Sequence, residues 1–171
     1  RGGFEVTWSA LKEFVRQIDE AGRGVLRISE QIELRLWRGK IYVEDNISQY
    51  EQTIPTLLLD CRKDFSLRLP TGKLKLSCNK SSDALAFECP QSLSLSPSSE
   101  VRSLRHLGKE KSLKMLFAEK NVPPWRRKNW PVLSCEQGPV IIPNVAVRDD
   151  RWVDTTRREG QSIRYLSFLA T

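Results

Sequence analysis

From Phe65 to Cys89 apolar side chains recur at every second position, and this spacing restricts the fold more than any other feature of the chain. Phe65, Leu67 and Leu69 lead across Pro70-Thr71-Gly72 to Leu74, Leu76 and Cys78, and past Ser81-Ser82 to Leu85, Phe87 and Cys89. Period-two alternation marks strands with one buried face. A turn at Thr71-Gly72 sets Leu69 against Leu74 and Leu67 against Leu76. A turn at Ser81-Ser82 sets Cys78 against Leu85 and Leu76 against Phe87. In this register all nine residues share one face, and a slip of one residue would turn that face into water. The expectation is a three-stranded antiparallel meander. Arg68, Lys73 and Lys75 fall on its other side, where they could extend a basic surface, although a solvated sheet face is the expected reading.

Ahead of the meander the pattern differs. Thr7 is placed to cap a helix running to Ala21, with a stripe of Trp8, Leu11, Val15 and Ile18, Phe14 beside it, and Gly22 and Gly24 ending it. Trp8 reads as a core residue. Residues 25–44 read as a hairpin in which the two-residue turn Arg38-Gly39 sets Leu36 against Ile41 and Leu34 against Val43. A polar linker follows. The chain is therefore expected to be α+β in two small domains. Residues 1–50 hold helix 7–21 and hairpin 25–44. Residues 55–171 form a larger, mostly antiparallel β domain with one short basic helix. The sequence starts at Arg1 without a methionine and is expected to be cut from something longer.

In the second domain Pro90–Ser99 is rich in Ser and Pro and reads as a surface connection. Val132-Leu133, Val140-Ile141-Ile142 and Val145-Ala146-Val147 read as short strands with a turn at Gln137-Gly138 and with Pro143 at a strand edge or end. Arg148–Gly160 reads as a mixed-charge loop whose Asp149, Asp150 and Asp154 make local salt bridges. Ile163 and Tyr165, with Leu169, suggest a last strand.

Charge singles out one stretch. Val101–Lys128 contains nine Lys and Arg against Glu110 and Glu119, a net +7. The whole chain, with 28 basic and 21 acidic residues, also nets +7, so everything else balances. Charge this localised suits a polyanion. Ser112 can cap a helix whose Leu113, Leu116 and Phe117 form an inward stripe, with Lys111, Lys114 and Lys120 off it. Asn121 suits a left-handed stop, and Val122-Pro123-Pro124 cannot continue a helix. A helix, a stiff extended corner and Trp125-Arg126-Arg127-Lys128 result. Lys111, Lys114, Arg126, Arg127 and Lys128 are the first candidates for RNA phosphates, and Arg102, Arg105 and Lys109 the second. Trp125 is expected to fix the corner more than to touch RNA.

The run from Ser112 through Val122-Pro123-Pro124-Trp125-Arg126 to Pro131-Val132-Leu133 resembles the signature of the C-terminal domain of tRNA(Ile)-lysidine synthetases. Leu69-Pro70-Thr71-Gly72-Lys73-Leu74 is similar to the turn that opens that domain. Leu34–Val43 is similar to a hairpin of the preceding substrate-binding domain. One departure is local: the family's Gly-Gly-acidic-Arg segment is replaced by Arg105-His106-Leu107-Gly108, with no acid before Glu110. The resemblance implies a cytoplasmic, ATP-dependent ligase that joins lysine to the wobble cytidine of the isoleucine tRNA with a CAU anticodon. It implies that this part binds the tRNA body and acceptor stem, and it allows a homodimer through the complete protein. ATP, with Mg, would belong to a catalytic domain outside this chain.

Motifs for chemistry are missing from the sequence itself. It has no GxxxxGK[ST], no GxGxxG and no Ser-Gly-Gly-x-Asp-Ser loop, so no cofactor is expected here. One histidine, His106, and four cysteines without a Cys-x-x-Cys pair argue against a zinc site or a catalytic triad. Cys61, Cys78, Cys89 and Cys135 read as buried free thiols. No apolar run reaches the roughly 20 residues of a membrane span. Two other readings of the residues remain: a general structured-RNA module of another modification or ribosome-associated protein, or a protein–protein interaction domain.

Overall fold

The computed structural model describes residues 6–45, 52–80, 84–88, 90, 92–151 and 163–170. The fold is α+β, mostly antiparallel sheet, and divides into compact units of residues 1–51 and 52–171.

In the first unit α1 (Trp8–Ala21) starts where the Thr7 hydroxyl accepts from the Ala10 amide at 3.3 Å and stops at left-handed Gly22, φ 61°. Three strands follow: β1 (Arg23–Arg27), β2 (Ile32–Trp37) and β3 (Lys40–Asp45). The expected hairpin is β2–β3, in the expected register of Leu34 with Val43 and Leu36 with Ile41. Arg38 and Gly39 both have positive φ, 50° and 71°, the pair that a tight hairpin turn demands. The addition is β1, paired to β2. The helix stripe is corrected too. Phe14 is the buried residue, lying against Gly24, where a Cβ would meet its ring at 2.9 Å. Trp8 is not a core residue of this unit, being 68% exposed. The stripe is centred on Phe14 and Ile18, which rotates Trp8 away from the sheet.

The second unit holds two larger sheets around one core. The strands are β4 (Leu57–Asp60), β5 (Phe65–Leu69), β6 (Gly72–Ser77), β7 (Leu85–Glu88), β8 (Ser92–Pro97), β9 (Ser103–His106), β10 (Lys109–Ser112), β11 (Pro131–Cys135), β12 (Gly138–Ile142), β13 (Ala146–Val147) and β14 (Ile163–Ala170). Two helices, α2 (Leu113–Glu119) and the single turn α3 (Pro124–Arg127), separate β10 from β11. One sheet runs β13-β12-β11-β8-β4, the other β5-β6-β14-β7, and β9–β10 is a separate hairpin.

The meander expected from the alternation does not form. β14 inserts between β6 and β7, so Leu76 faces Leu166, and Leu166 in turn faces Leu85. A strand distant in sequence supplies the central partner, which no local pattern encodes. The first hairpin is also tighter by two residues. Leu69 pairs with Gly72 and Leu67 with Leu74 across Pro70-Thr71. A shift of two preserves the face, so Leu69, Leu74, Leu76 and Phe87 are still buried together. Gly72 is required there: a Cβ would lie 2.3 Å from the Leu169 carbonyl oxygen. β14 buries Arg164, Leu166 and Phe168, not Ile163, Tyr165 and Leu169. Cys78 lies past the end of β6 and is exposed, whereas Cys61 is buried and Cys135 half-buried; Cys89 and the Ser81-Ser82 turn lie outside the described residues.

The largest correction concerns Pro90–Ser99. It is not a surface connection, because β8 lies between β11 and β4 with Leu93 and Leu95 fully buried. The Ser-Leu-Ser-Leu-Ser alternation is a strand pattern concealed by loop-like composition. The turn between β11 and β12 is Glu136-Gln137, with Cys135 opposite Gly138. In the expected charged loop Asp149–Arg151 form a 3-10 turn. Arg148 is buried there against Asp150 at 2.6 Å, which with burial opposing it raises the already high pKa of the guanidinium. Residues 152–160, and so Asp154, lie outside the described residues.

Candidate nucleic-acid interface

The +7 window folds as the β9–β10 hairpin, α2 and α3. β9 and β10 meet through Leu107 and Gly108, both at positive φ (54° and 73°). The carboxylate of Asp149 accepts from their amides at 2.6 and 2.7 Å. The acid beside this turn thus comes from far along the chain. His106 donates its Nδ1–H to the Val147 carbonyl at 2.9 Å, since a carbonyl can only accept. Arg105 and Glu110 face each other on one side of the hairpin, Leu104 and Lys111 on the other.

At the start of α2 the Ser112 hydroxyl accepts from the Met115 amide at 3.3 Å, and Leu113, Leu116 and Phe117 are buried as their spacing requires. The helix ends with Asn121 at φ 53°. The Val122 amide returns to the Phe117 carbonyl at 2.9 Å and the Asn121 amide to Ala118 at 3.2 Å, a double closure that satisfies the last carbonyls. Pro123 and Pro124 then open α3, with Pro124 at the first helical position, where its missing N–H costs nothing. Pro123 is extended (φ −60°, ψ 144°), as expected of the corner, and the residues after it, Pro124–Arg127, add a helical turn that the sequence pattern does not indicate.

The backbone of that turn is held from outside. The Ser98 hydroxyl donates to the Arg127 carbonyl, and the Ser98 amide to Trp130 at 2.9 Å. The Ser99 amide donates to Lys128 at 3.3 Å and the Thr71 hydroxyl to Asn129 at 3.2 Å. Arg127 itself donates Nε–H to the Val122 carbonyl at 2.8 Å. Trp130 is the plug beneath: 4% exposed, its indole N–H on the Pro143 carbonyl at 2.9 Å, its ring edge-on to Phe117 and Phe168. Sequence alone singles out neither Ser98 nor Trp130, although Trp130 carries a signal as a large aromatic beside proline in the signature run. Thr71 reads there only as a turn residue and Asp149 only as a local salt-bridge acid, not as anchors of this region.

The candidate cations now separate. Lys111 is mostly covered and paired with Glu119 at 2.9 Å. Arg126, Arg127 and Trp125 are half-buried and engaged within the fold. Arg102, Arg105, Lys109, Lys114 and Lys128 are exposed and have no side-chain partner among the described residues. The unit also contains two hollows flanking Asp149. One of about 800 Å3 is lined by His106, Lys120, Val147 and Phe168; one of about 690 Å3 is lined by Arg105, Glu110 and Arg148.

Residues 92–165, from β8 into β14, match the family model described as TilS substrate C-terminal domain. Over these residues the chain is similar to a TilS C-terminal region. A solved structure titled "Crystal structure of TILS C-terminal domain" superposes with TM-score 0.50 at 17% identity, over 68% of this chain and 98% of that one, a likeness of fold. No curated protein sequence matches significantly. The TilS match takes in the whole of the +7 window and both sides of its corner, and it associates the chain with tRNA modification. No helix among the described residues is long and apolar enough to cross a membrane.

Proposed function

We propose that this chain is the tRNA-holding part of a tRNA(Ile)-lysidine synthetase, gripping the body and acceptor stem of the isoleucine tRNA with a CAU anticodon. The observation that carries this reading is that the TilS-matching segment contains the stretch holding the chain's entire net charge. In the complete enzyme ATP, with Mg, would activate the wobble cytidine and lysine would be joined to it, in the cytoplasm. That chemistry is assigned to a catalytic domain, and this chain's residues supply binding. Lys and Arg displace condensed counterions from phosphates. A-form helices present backbone and 2′-hydroxyls across a shallow minor groove, so a fixed basic surface suits them better than probing loops. The four anchored carbonyls of residues 127–130 make the corner such a surface: Lys128 projects from a backbone that need not be ordered on binding.

The test is a salt titration of binding to that isoleucine tRNA beside an elongator methionine tRNA, with wild type and an Arg105→Gln, Lys114→Gln, Lys128→Gln variant. These three side chains make no hydrogen bond among the described residues. The expected result is preference for the isoleucine tRNA and a log–log salt slope shallower by about 2–3 in the variant, near one for each phosphate left without its cation. Absence of RNA binding, or an unchanged slope, would overturn the reading.

A further inference from the structure

The outward face of the β5-β6-β14-β7 sheet carries cations whose arrangement the fold does not explain. Arg68 lies directly opposite Lys73, and Lys75 follows two residues along β6. All three are exposed and have no partner among the described residues. Like charges directly across an antiparallel pair repel. Cations on an edge strand commonly block edge-to-edge pairing. That accounts for Arg68 on edge strand β5 and leaves Lys73 and Lys75 unexplained, because β6 is paired on both sides, to β5 and to β14.

The neighbours on this face are informative. Lys75 sits between Ser66 and Ser167, and Lys73 between Arg68 and Leu169, which is 73% exposed. Tyr165 lies in the next row, opposite Ser77. Two carboxylates lie at the margins of this face among the described residues: Glu88 on the far strand β7, and Asp64 just before β5, which accepts from the Ser77 hydroxyl at 3.0 Å and is paired with Arg164 at 2.6 Å. Cations interleaved with hydroxyls are the side chains that contact phosphate and sugar oxygens, and an accessible aromatic ring beside them can stack a base. The patch also adjoins the corner. The turn joining β5 to β6 holds Thr71, whose hydroxyl bonds to Asn129, next to Lys128.

We propose that Arg68, Lys73 and Lys75 form a second RNA-backbone contact surface, continuous with the basic corner and gripping a separate stretch of the same RNA. This rests on the RNA-binding reading above. Counting charge along the sequence cannot find it, because residues outside 101–128 balance overall.

The test uses the full chain and the same isoleucine tRNA. An Arg68→Gln, Lys73→Gln, Lys75→Gln variant is compared with wild type, with the corner variant, with their combination and with Lys73→Arg, Lys75→Arg. The proposal expects the glutamine variant to bind about tenfold more weakly at moderate salt and to flatten the slope by about 2–3. It expects the weakening from the two glutamine variants to multiply in the combination, and the arginine variant to keep the wild-type slope. A wild-type slope in the sheet variant, with the corner variant still flattened, would overturn this inference and leave the first reading standing. A flattened sheet variant beside an unchanged corner variant would do the reverse. No RNA binding by wild type would remove both, and an acidic protein or anionic membrane would then be the occupant to seek.

Discussion

Thr71 and Asn129 lie 58 positions apart, yet the Thr71 hydroxyl donates to the Asn129 carbonyl at 3.2 Å in a buried setting. The bond joins the Leu69–Leu74 turn to the Pro-Pro-Trp corner, the two stretches of the second unit that carry the family resemblance. Thr71→Val keeps the shape and removes the donor, so the buried Asn129 carbonyl loses this bond. The expected cost is about 1–3 kcal/mol in denaturant unfolding, with weaker tRNA binding at unchanged salt slope, since every cation is retained. A slope change would mean that the bond is not merely positional.

Glu119 holds Lys111 at 2.9 Å on a pair that is only part-covered. Glu119→Gln frees that ammonium and removes one of the two acids in the basic window. Stability should change by no more than about 1 kcal/mol. RNA affinity should rise and the salt slope steepen by about one, the value for a single further phosphate neutralised. A titration in which binding weakens instead would show that Lys111 works only while held by Glu119.

Asp149 ties down the tip of the β9–β10 hairpin through the Leu107 and Gly108 amides. Asp149→Ala should leave the core intact and loosen this tip, a local opening visible as faster exchange of those two amides. Because Arg105 and Lys109 flank the tip, tRNA affinity should fall a few-fold. Unchanged exchange would show that the hairpin holds its shape without the carboxylate.

Glu33 gives the first unit an acid-sensitive point. Burial pushes its carboxyl pKa up, but hydrogen bonds from Arg35, at 2.7 and 2.9 Å, and from Arg27, at 3.0 and 3.2 Å, outweigh that and hold it below the usual range. A depressed folded pKa contributes stability that is present above the unfolded value, about 4.3, and is lost as pH falls through the folded one. Glu33→Gln should therefore speed exchange of the β2–β3 amides at pH 7, with the gap from wild type closing on acidification below about pH 4. An equal gap at pH 3 and pH 7 would contradict the assignment.

Local patterns were legible wherever a segment's own residues decided its state. Thr7, Ser112, Gly22, Asn121 and the Arg38-Gly39 turn act through bonds and dihedrals within a few residues, so the caps, the stops and the β2–β3 register follow from sequence alone. The buried stripe Leu113, Leu116, Phe117 and the shared face of Leu69, Leu74, Leu76 and Phe87 follow for the same reason: side-chain period fixes direction. The location of net charge was also plain, because charge is carried by composition.

Partners were decided only by the tertiary structure. Nothing near Leu76 encodes Leu166 as its neighbour in place of Phe87, because insertion of β14 is a long-range choice made by the whole core. Leu93 and Leu95 read as loop until β11 and β4 flank them. The pairing of Lys111 with Glu119 and the anchoring of residues 127–130 by Ser98, Ser99 and Thr71 are likewise products of assembly. Sequence determined which residues of α2 and of β5 and β6 point inward, and where the charge lies. Tertiary structure determined which cations are left exposed, because pairing depends on distances in space that adjacency along a chain does not set.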